Sequence, residues 1–198
     1  MSGTPVQSDD MTALDDLVEE FQSPVYTLCY RMLGEAGAAE DAAQETFLRA
    51  FQHLDSYDPS RPFKTWLLAI ASHHCIDRLR RQHVIWLYVD DELLLDHPAL
   101  REPSPEPEIA AIRREEDAQI QQLLDSLPPQ DRCAIVLRYW HDLSYVEMAA
   151  ILGTTVSGVK SRLHRARLAL GDMLAPMVEG GPMQVPDRAR SGGASCAF

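Results

Sequence analysis

The stretch that most constrains this 198-residue chain is residues 144–170, SYVEMAAILGTTVSGVKSRLHRARLAL. Ser144-Tyr145-Val146-Glu147 has the form of a capping box, in which the Ser hydroxyl and the Glu carboxylate each satisfy a backbone N–H left without a partner at a helix start. That places a helix start at about Tyr145, with Met148, Ala149 and Leu152 on one face. Gly153 is positioned to stop it, because glycine enters the left-handed conformation after a helix without a Cβ penalty. Thr155 can then cap a second helix, whose inward stripe is Val159, Leu163, Ala166 and Leu170. So short a turn makes the two helices cross steeply, and small Ala149 permits the close approach.

Opposite that stripe the second helix presents Ser157, Lys160, Ser161, His164 and Arg165, with Arg162 and Arg167 on its flanks. Short hydroxyls near a helix N-terminus can approach base edges, and long cations further along can reach phosphates and guanine edges. The plainer alternative is a solvated basic face on an ordinary helical hairpin. Capping box, glycine stop, tight turn and segregated cations occur together, which favours DNA reading.

The net charge of −12 runs against DNA binding, so its distribution matters. The first 20 residues hold six acids and no Lys or Arg, whereas residues 61–82 hold five basic residues against one acid. Lys160, Arg162, Arg165 and Arg167 form a second basic island in a stretch without acids. Two basic islands in an acidic chain predict two nucleic-acid contacts, with the acidic remainder limiting indiscriminate binding. The acidic start does not read as a signal peptide, and no apolar run reaches the roughly 20 residues needed to cross a bilayer, so a cytoplasmic protein without membrane insertion is expected. Cys29, Cys75, Cys133 and Cys196 are far apart with no CxxC pair; the first three are expected as buried thiols.

Apolar spacing is helical nearly throughout, and 45% hydrophobic residues with 24% charged is a globular composition. The expected fold is all-α: two small helical domains joined by an acidic, Pro-rich linker, the C-terminal one carrying the helix-turn-helix. Residues 83–108, with four prolines and seven acids against a single arginine, form that linker. As a coil it would span on the order of 30 Å, and stretched roughly 90 Å, so the domains could occupy separate sites. The expected divisions are a disordered acidic start (1–13), a first domain (14–82), the linker, a second domain (109–175) and a disordered Gly- and Pro-rich tail (176–198).

Residues 127–170 resemble the C-terminal domain of the extracytoplasmic-function (ECF) sigma factors of bacterial RNA polymerase. Leu127-Pro128-Pro129, the helix through Tyr139 and Trp140, and Val159-Lys160-Ser161-Arg162 with Arg165-Ala166-Arg167 carry the likeness. The resemblance implies that Thr155, Ser157, Gly158, Lys160, Ser161, Arg162, His164, Arg165 and Arg167 face the −35 promoter element. Gly158 departs from the family, where Thr is common; it removes a contact and costs up to about 1 kcal/mol of helix propensity.

Residues 14–82 resemble the other conserved sigma domain. The segment EDAAQETFLRAF, residues 40–51, reproduces the family pattern D-x-x-Q-E-x-F. On a helix Asp41, Gln44, Glu45 and Leu48 share neighbouring turns, a surface suited to a partner helix. The resemblance implies that these residues and Phe47 dock on the β′ clamp coiled coil of core polymerase; on residue types alone, acids favouring the helix N-terminus explain them equally well. For the helix that follows, Phe63, Trp66, Leu67 and Ile70 read as core. The resemblance places −10 contacts at Lys64, His73, Asp77, Arg78, Arg80 and Arg81, with His73 standing where the family often has Asn. It makes Asp55, Ser56, Tyr57, Asp58 and Arg61 of DSYDPSR a loop that captures a flipped base, where the plainer reading is an Asp/Pro/Ser turn.

Adjacent His73, His74 and Cys75 point about 100° apart on a helix and have no supporting ligand spacing, so no metal is expected. There is no catalytic or Gly-rich phosphate motif either, so no cofactor and no enzymatic activity are expected. The resemblance implies core RNA polymerase, through its β′ and β subunits, and promoter DNA as partners, and allows an anti-sigma factor. Two alternatives stay open. A helix-turn-helix regulator that is not a polymerase subunit would have no use for the Asp41, Gln44, Glu45, Phe47 surface. A protein-interaction module, such as an inhibitor of a sigma factor, would leave both basic islands without a role.

Overall fold

The computed structural model describes the backbone of residues 8–88 and 108–179 and, within them, the side chains of residues 17–82 and 115–175. Among the described residues all regular structure is helical, as expected. The order is α1 (Ser8–Leu33), α2 (Ala36–Gln52), a 3-10 turn (Leu54–Ser56), α3 (Phe63–Tyr88), α4 (Glu108–Asp125), α5 (Pro129–Tyr139), α6 (Tyr145–Ile151) and α7 (Val156–Glu179).

Helices α1, α2 and α3 pack on one another as a first bundle. The first ends at Gly34, whose φ of +78° favours glycine and whose N–H donates to the Tyr30 carbonyl at 2.8 Å. A Cβ at Gly34 would lie 3.2 Å from Asp125 Oδ2 and Gln121 Nε2 of α4, so this glycine also admits the second bundle. Glu35 caps α2, its two carboxylate oxygens accepting from the N–H groups of Gly37 (2.9 Å) and Ala38 (2.8 Å). The buried face of α2 is Ala39, Ala42, Thr46 and Ala50, small residues that bring the helix close to its neighbours. Thr46 donates its hydroxyl to the Ala42 carbonyl at 2.7 Å, so its burial leaves no donor unpaired.

The second bundle follows the sequence reading closely. Ser144 N–H donates to Glu147 Oε2 (2.8 Å) and Glu147 N–H to Ser144 Oγ (3.3 Å), the two halves of the capping box. Gly153 has φ +57°, and Thr155 Oγ1 accepts from Gly158 N–H at 3.1 Å. Val159, Leu163 and Ala166 are buried; Leu170 closes the stripe half-buried. Gly158 has a local reason: a Cβ there would lie 2.4 Å from Thr154 Oγ1, so the threonine hydroxyl occupies the space a side chain would need.

What periodicity does not reveal is that the two bundles share one hydrophobic core. Helix α5 is buried at all seven positions from Asp131 to Leu137, because α7 covers one side while α1 and α3 cover another. Arg132 crosses this joint: Nη1 donates to the Met32 carbonyl of α1 (2.6 Å) and to Asp125 Oδ1 (2.8 Å), and Nη2 donates to the Asp125 carbonyl (2.6 Å). Arg31 answers from α1, pairing with Asp117 of α4 and lying 5.1 Å over the Trp140 ring. Gln121 donates to the Arg31 carbonyl at 3.3 Å. Cation and carbonyl meet at the C-terminus of α1, where the helix dipole favours positive charge.

Three boundaries differ from the sequence reading. Helix α1 starts at Ser8, inside the segment expected to be disordered, because Asp9 and Asp10 fall in its first turn where acids favour the dipole. Helix α3 continues to Tyr88, since residues 83–88 contain neither Pro nor Gly to stop it. Helix α7 runs through Pro176 to Glu179; a proline so near the end removes one backbone bond and leaves the rest of the helix intact. Residues 89–107 of the expected linker, Cys196 and the tail from residue 180 lie outside the described residues.

Candidate nucleic-acid interface

Helix α7 presents its cations in two ways. Ser157, Lys160, Ser161, His164, Arg165 and Arg167 are exposed, as is Thr155 at the cap. Ser161 donates to the Ser157 carbonyl at 3.0 Å. Arg165 forms a two-point pair with Asp131 of α5, Nε to Oδ2 at 3.1 Å and Nη2 to Oδ1 at 2.8 Å. The Asp131 side chain is 7% exposed and that of Arg165 60%. That pairing raises the Arg165 pKa above its ordinary value and keeps the guanidinium charged. Arg167 donates through Nε to the Tyr139 hydroxyl at 3.1 Å, with its guanidinium 5.9 Å from the Tyr139 ring centre. Arg162 is the departure: it is half-buried, its Nη1 is buried without a hydrogen-bond partner, and its charge offsets only a small part of the rise that burial imposes on the Cys133 thiol. Sequence reasoning passed over Asp131 and Tyr139 as partners of the cations on α7.

The loop before α3 is anchored by an aromatic cluster. Tyr57 lies 5.2 Å from Phe63 in an edge-on arrangement and 5.2 Å from Trp66, and its hydroxyl donates to the Arg61 carbonyl at 2.6 Å. Trp66 thus sits in packing, as its stripe predicts. Asp58 Oδ1 accepts from Ser60 N–H at 3.0 Å and its Oδ2 lies 3.6 Å from Arg61 Nε; the Ser60 hydrogen bonding holds this carboxyl below its ordinary value. Asp55, Ser56, Asp58 and Arg61 are exposed around this anchor. Along α3, His73, Asp77, Arg80 and Arg81 are exposed and Arg78 is half-buried.

Lys64 lies differently. It is half-buried where α6 packs on α3, close enough to His141 and Glu147 to shift both. Glu147 is held below its ordinary value by the Ser144 hydroxyl and N–H, with a smaller contribution from Lys64. Burial, reinforced by Lys64, pushes the His141 imidazole down to about 4. Its Nε2 has no hydrogen-bond partner. In this arrangement Lys64 of the first basic island is turned into the joint between bundles, and Arg162 of the second is half-buried rather than presented outward.

On α2, Asp41, Gln44 and Leu48 are exposed and Glu45 and Phe47 half-buried. Leu48 is 57% exposed, the side of an apolar residue left in water beside an acid and an amide. Gln44 and Phe47 line a cleft of about 490 Å³ between α1 and α2, completed by Val18, Gln22, Tyr26 and Ala43 among others. Glu45 pairs with Arg49 at 2.6 Å within the helix. A second cleft, of about 310 Å³ and almost wholly apolar, lies between α4, α5 and α7 and is lined by Ile120, Leu124, Ile135, Trp140, Leu170 and Leu174 among others.

Cys29, Cys75 and Cys133 are buried free thiols, as expected. Hydrogen bonding to Cys29 and burial drive the Cys75 thiol far above its ordinary value, and burial pushes that of Cys133 up to about 12, so these two behave as protonated core residues. Among the described residues no group of three or more His, Cys, Asp or Glu is arranged to hold a metal ion, and no helix is long and apolar enough to cross a membrane.

Comparison with known proteins agrees with this geometry. The family model for Sigma-70 region 2 matches residues 17–84, and that for Sigma-70 region 4 matches residues 117–170. The ECF RNA polymerase sigma factor SigW of Bacillus subtilis is 40% identical over 174 residues, which span 85% of this chain and 92% of that one. SigE of Mycolicibacterium smegmatis, also an ECF RNA polymerase sigma factor, is 38% identical over 165 residues, 83% of this chain and 63% of that one. CnrH, solved in complex with the cytosolic domain of CnrY, superposes with a TM-score of 0.62 at 26% identity over 84% of this chain and 90% of its own. The sigma factor RpoE of Bartonella quintana shares the fold, with a TM-score of 0.60 at 23% identity over 82% of this chain and 97% of its own. The chain belongs to the ECF sigma factors, the subunits that direct promoter-specific transcription initiation by RNA polymerase.

Proposed function

We propose that this chain loads onto the β′ clamp coiled coil of core RNA polymerase through Asp41, Gln44, Glu45, Phe47 and Leu48 of α2. The observation that carries this is the exposed Leu48 beside the α1–α2 cleft: an apolar side chain kept in water next to polar ones suits an amphipathic partner helix. The apolar cleft between α4, α5 and α7 offers the β subunit a second seat. Core polymerase binding of wild type and a Leu48→Asp variant, followed by fluorescence anisotropy, tests the first contact. At least tenfold weaker binding with an unchanged melting temperature is expected; equal binding sinks the assignment.

On the polymerase, residues 14–82 would hold the −10 element with α3 and the loop around Tyr57. Residues 109–175 would read the −35 element with α7, through Thr155, Ser157, Lys160, Ser161, His164, Arg165 and Arg167. Unstacked non-template bases captured near Asp55, Ser56 and Asp58 offset the few kcal/mol of unpairing, so no nucleotide-hydrolysing motif is required. The packed arrangement of the two bundles is then the chain away from its promoter, because α6 lies on α3 and hides Lys64. Loading separates them, and the 19 residues between α3 and α4 reach at most about 65 Å. The chain thus supplies binding and strand separation, the polymerase supplies the bond-making chemistry, and both act in the cytoplasm. CnrH was solved with the cytosolic domain of CnrY, and by analogy an anti-sigma factor is included among the partners here.

A further inference from the structure

We infer that Asp131 is a positioning residue for promoter recognition: it fixes the guanidinium of Arg165 so that its outer edge is presented to the −35 element. The inference rests on the proposed reading of α7 as the −35 helix. A guanidinium carries five N–H bonds in one plane. Asp131 engages it side-on, through Nε and Nη2, which uses one N–H of each. Both hydrogens of Nη1 and one of Nη2 remain; one from each nitrogen lies on the end-on edge, the edge that makes two parallel bonds to a pair of neighbouring acceptors. Asp131 is buried and held on the packed helix α5, whereas Arg165 is exposed, so the carboxylate is the fixed partner and the arginine the one that is aimed.

A free arginine on an exposed helix face samples many rotamers, and ordering it on DNA carries an entropic cost. The buried carboxylate meets much of that cost before binding. It also keeps the arginine's charge from acting as a loose attraction to any phosphate, because the anion beside it offsets the field on the inner side. The acceptor pair that matches the free edge is either the O6 and N7 of a guanine or two oxygens of one phosphate. The pair lies wholly within the second bundle, between α5 and α7, and is therefore retained whether or not the bundles separate.

The test is a double-mutant cycle on the reconstituted holoenzyme with a pool of promoter duplexes randomised over the −35 element. Wild type, Asp131→Asn, Arg165→Ala and the double variant are compared for affinity and for base preference, with melting temperatures alongside. Asp131→Asn is expected to weaken binding roughly tenfold in the presence of Arg165 and to have almost no effect in the Arg165→Ala background. Arg165→Lys, which keeps the charge but lacks the fork, is expected to lose affinity to a similar degree without touching the fold. A loss concentrated at one base pair identifies a guanine as the acceptor; a uniform loss across the pool identifies a phosphate. Equal losses in both backgrounds, or an Asp131→Asn variant that binds like wild type while Arg165→Ala is impaired, overturns the inference and leaves the −35 assignment standing. A wild-type holoenzyme that shows no preference across the pool overturns both.

Discussion

Arg165 and Arg167 of α7 are each held by a neighbour from α5, a buried carboxylate and a tyrosine hydroxyl. On α3, by contrast, Arg80 and Arg81 stand exposed, with Arg81 donating to the Asp77 backbone carbonyl at 3.2 Å. In the first bundle the ordered element is instead the aromatic anchor under the loop, Tyr57 against Phe63 and Trp66. The difference follows from what each surface must meet. A duplex presents acceptors at fixed spacings, which rewards donors fixed in advance. A separated strand does not, so mobile cations around a stiff platform serve it better.

The contrast between the bundles can be tested first at their joint. Arg132 is a buried cation bridging Met32 of one bundle and Asp125 of the other. Arg132→Ala is expected to lower stability by about 3 kcal/mol in chemical denaturation, because it leaves buried carbonyls without their donor. Arg132→Met, which fills the space, costs less. If the two bundles are independent apart from this joint, the alanine variant unfolds in two steps.

His141 provides a pH handle on the same joint. Its folded pKa is about 4, below the ordinary 6.5 of an unfolded histidine. A group depressed in the folded state contributes stability that is complete above pH 6.5. That contribution shrinks as pH falls towards 4 and is gone below it. The loss reaches about 3 kcal/mol at most, and a His141→Gln variant followed over the same range should lack this part of the pH dependence. Lys64→Ala, by removing the neighbouring charge, should move the midpoint up.

A smaller effect separates the bundles by locality. Glu147→Ala removes half of the capping box of α6 and is expected to cost about 1 kcal/mol, read as a lower melting temperature with the first bundle's hydrogen-exchange protection unchanged. Smaller still is the salt signature of the two cation sets. Lys160→Ala should reduce the log–log salt slope for duplex −35 DNA by about 0.9, and Arg81→Ala that for single-stranded −10 DNA by about 0.7. Equal reductions on both substrates would break the assignment of one face to duplex and the other to strand.

Much of the second bundle was legible because its determinants are local. Ser144 and Glu147 find each other across one turn, Gly153 needs only its own φ, and Thr155 caps within three residues. The joint was not legible, since it is made by residues about a hundred positions apart, Met32 with Arg132 and Arg31 with Asp117. That is why Lys64, which charge and helical phase place among the outward cations, is half-buried against the opposite bundle. One clue was present: residues 131–137, DRCAIVL, carry apolar side chains around most of the helix circumference, which a helix covered on one side would not need. Asp131 escaped notice for a related reason, because an acid in a first helical turn is adequately explained by the dipole until its partner is seen.

The most direct measurement of the central claim is transcription itself. Purified chain is mixed with core polymerase free of any other sigma factor, fragmented genomic DNA from the organism that encodes it serves as template, and the run-off transcripts are sequenced. The two-surface account predicts start sites that share a pair of upstream elements, and predicts that Arg165→Ala weakens initiation according to the −35 sequence while Arg80→Ala with Arg81→Ala weakens strand opening. Transcripts that start at random positions, together with no complex between the chain and core polymerase on gel filtration, would contradict it.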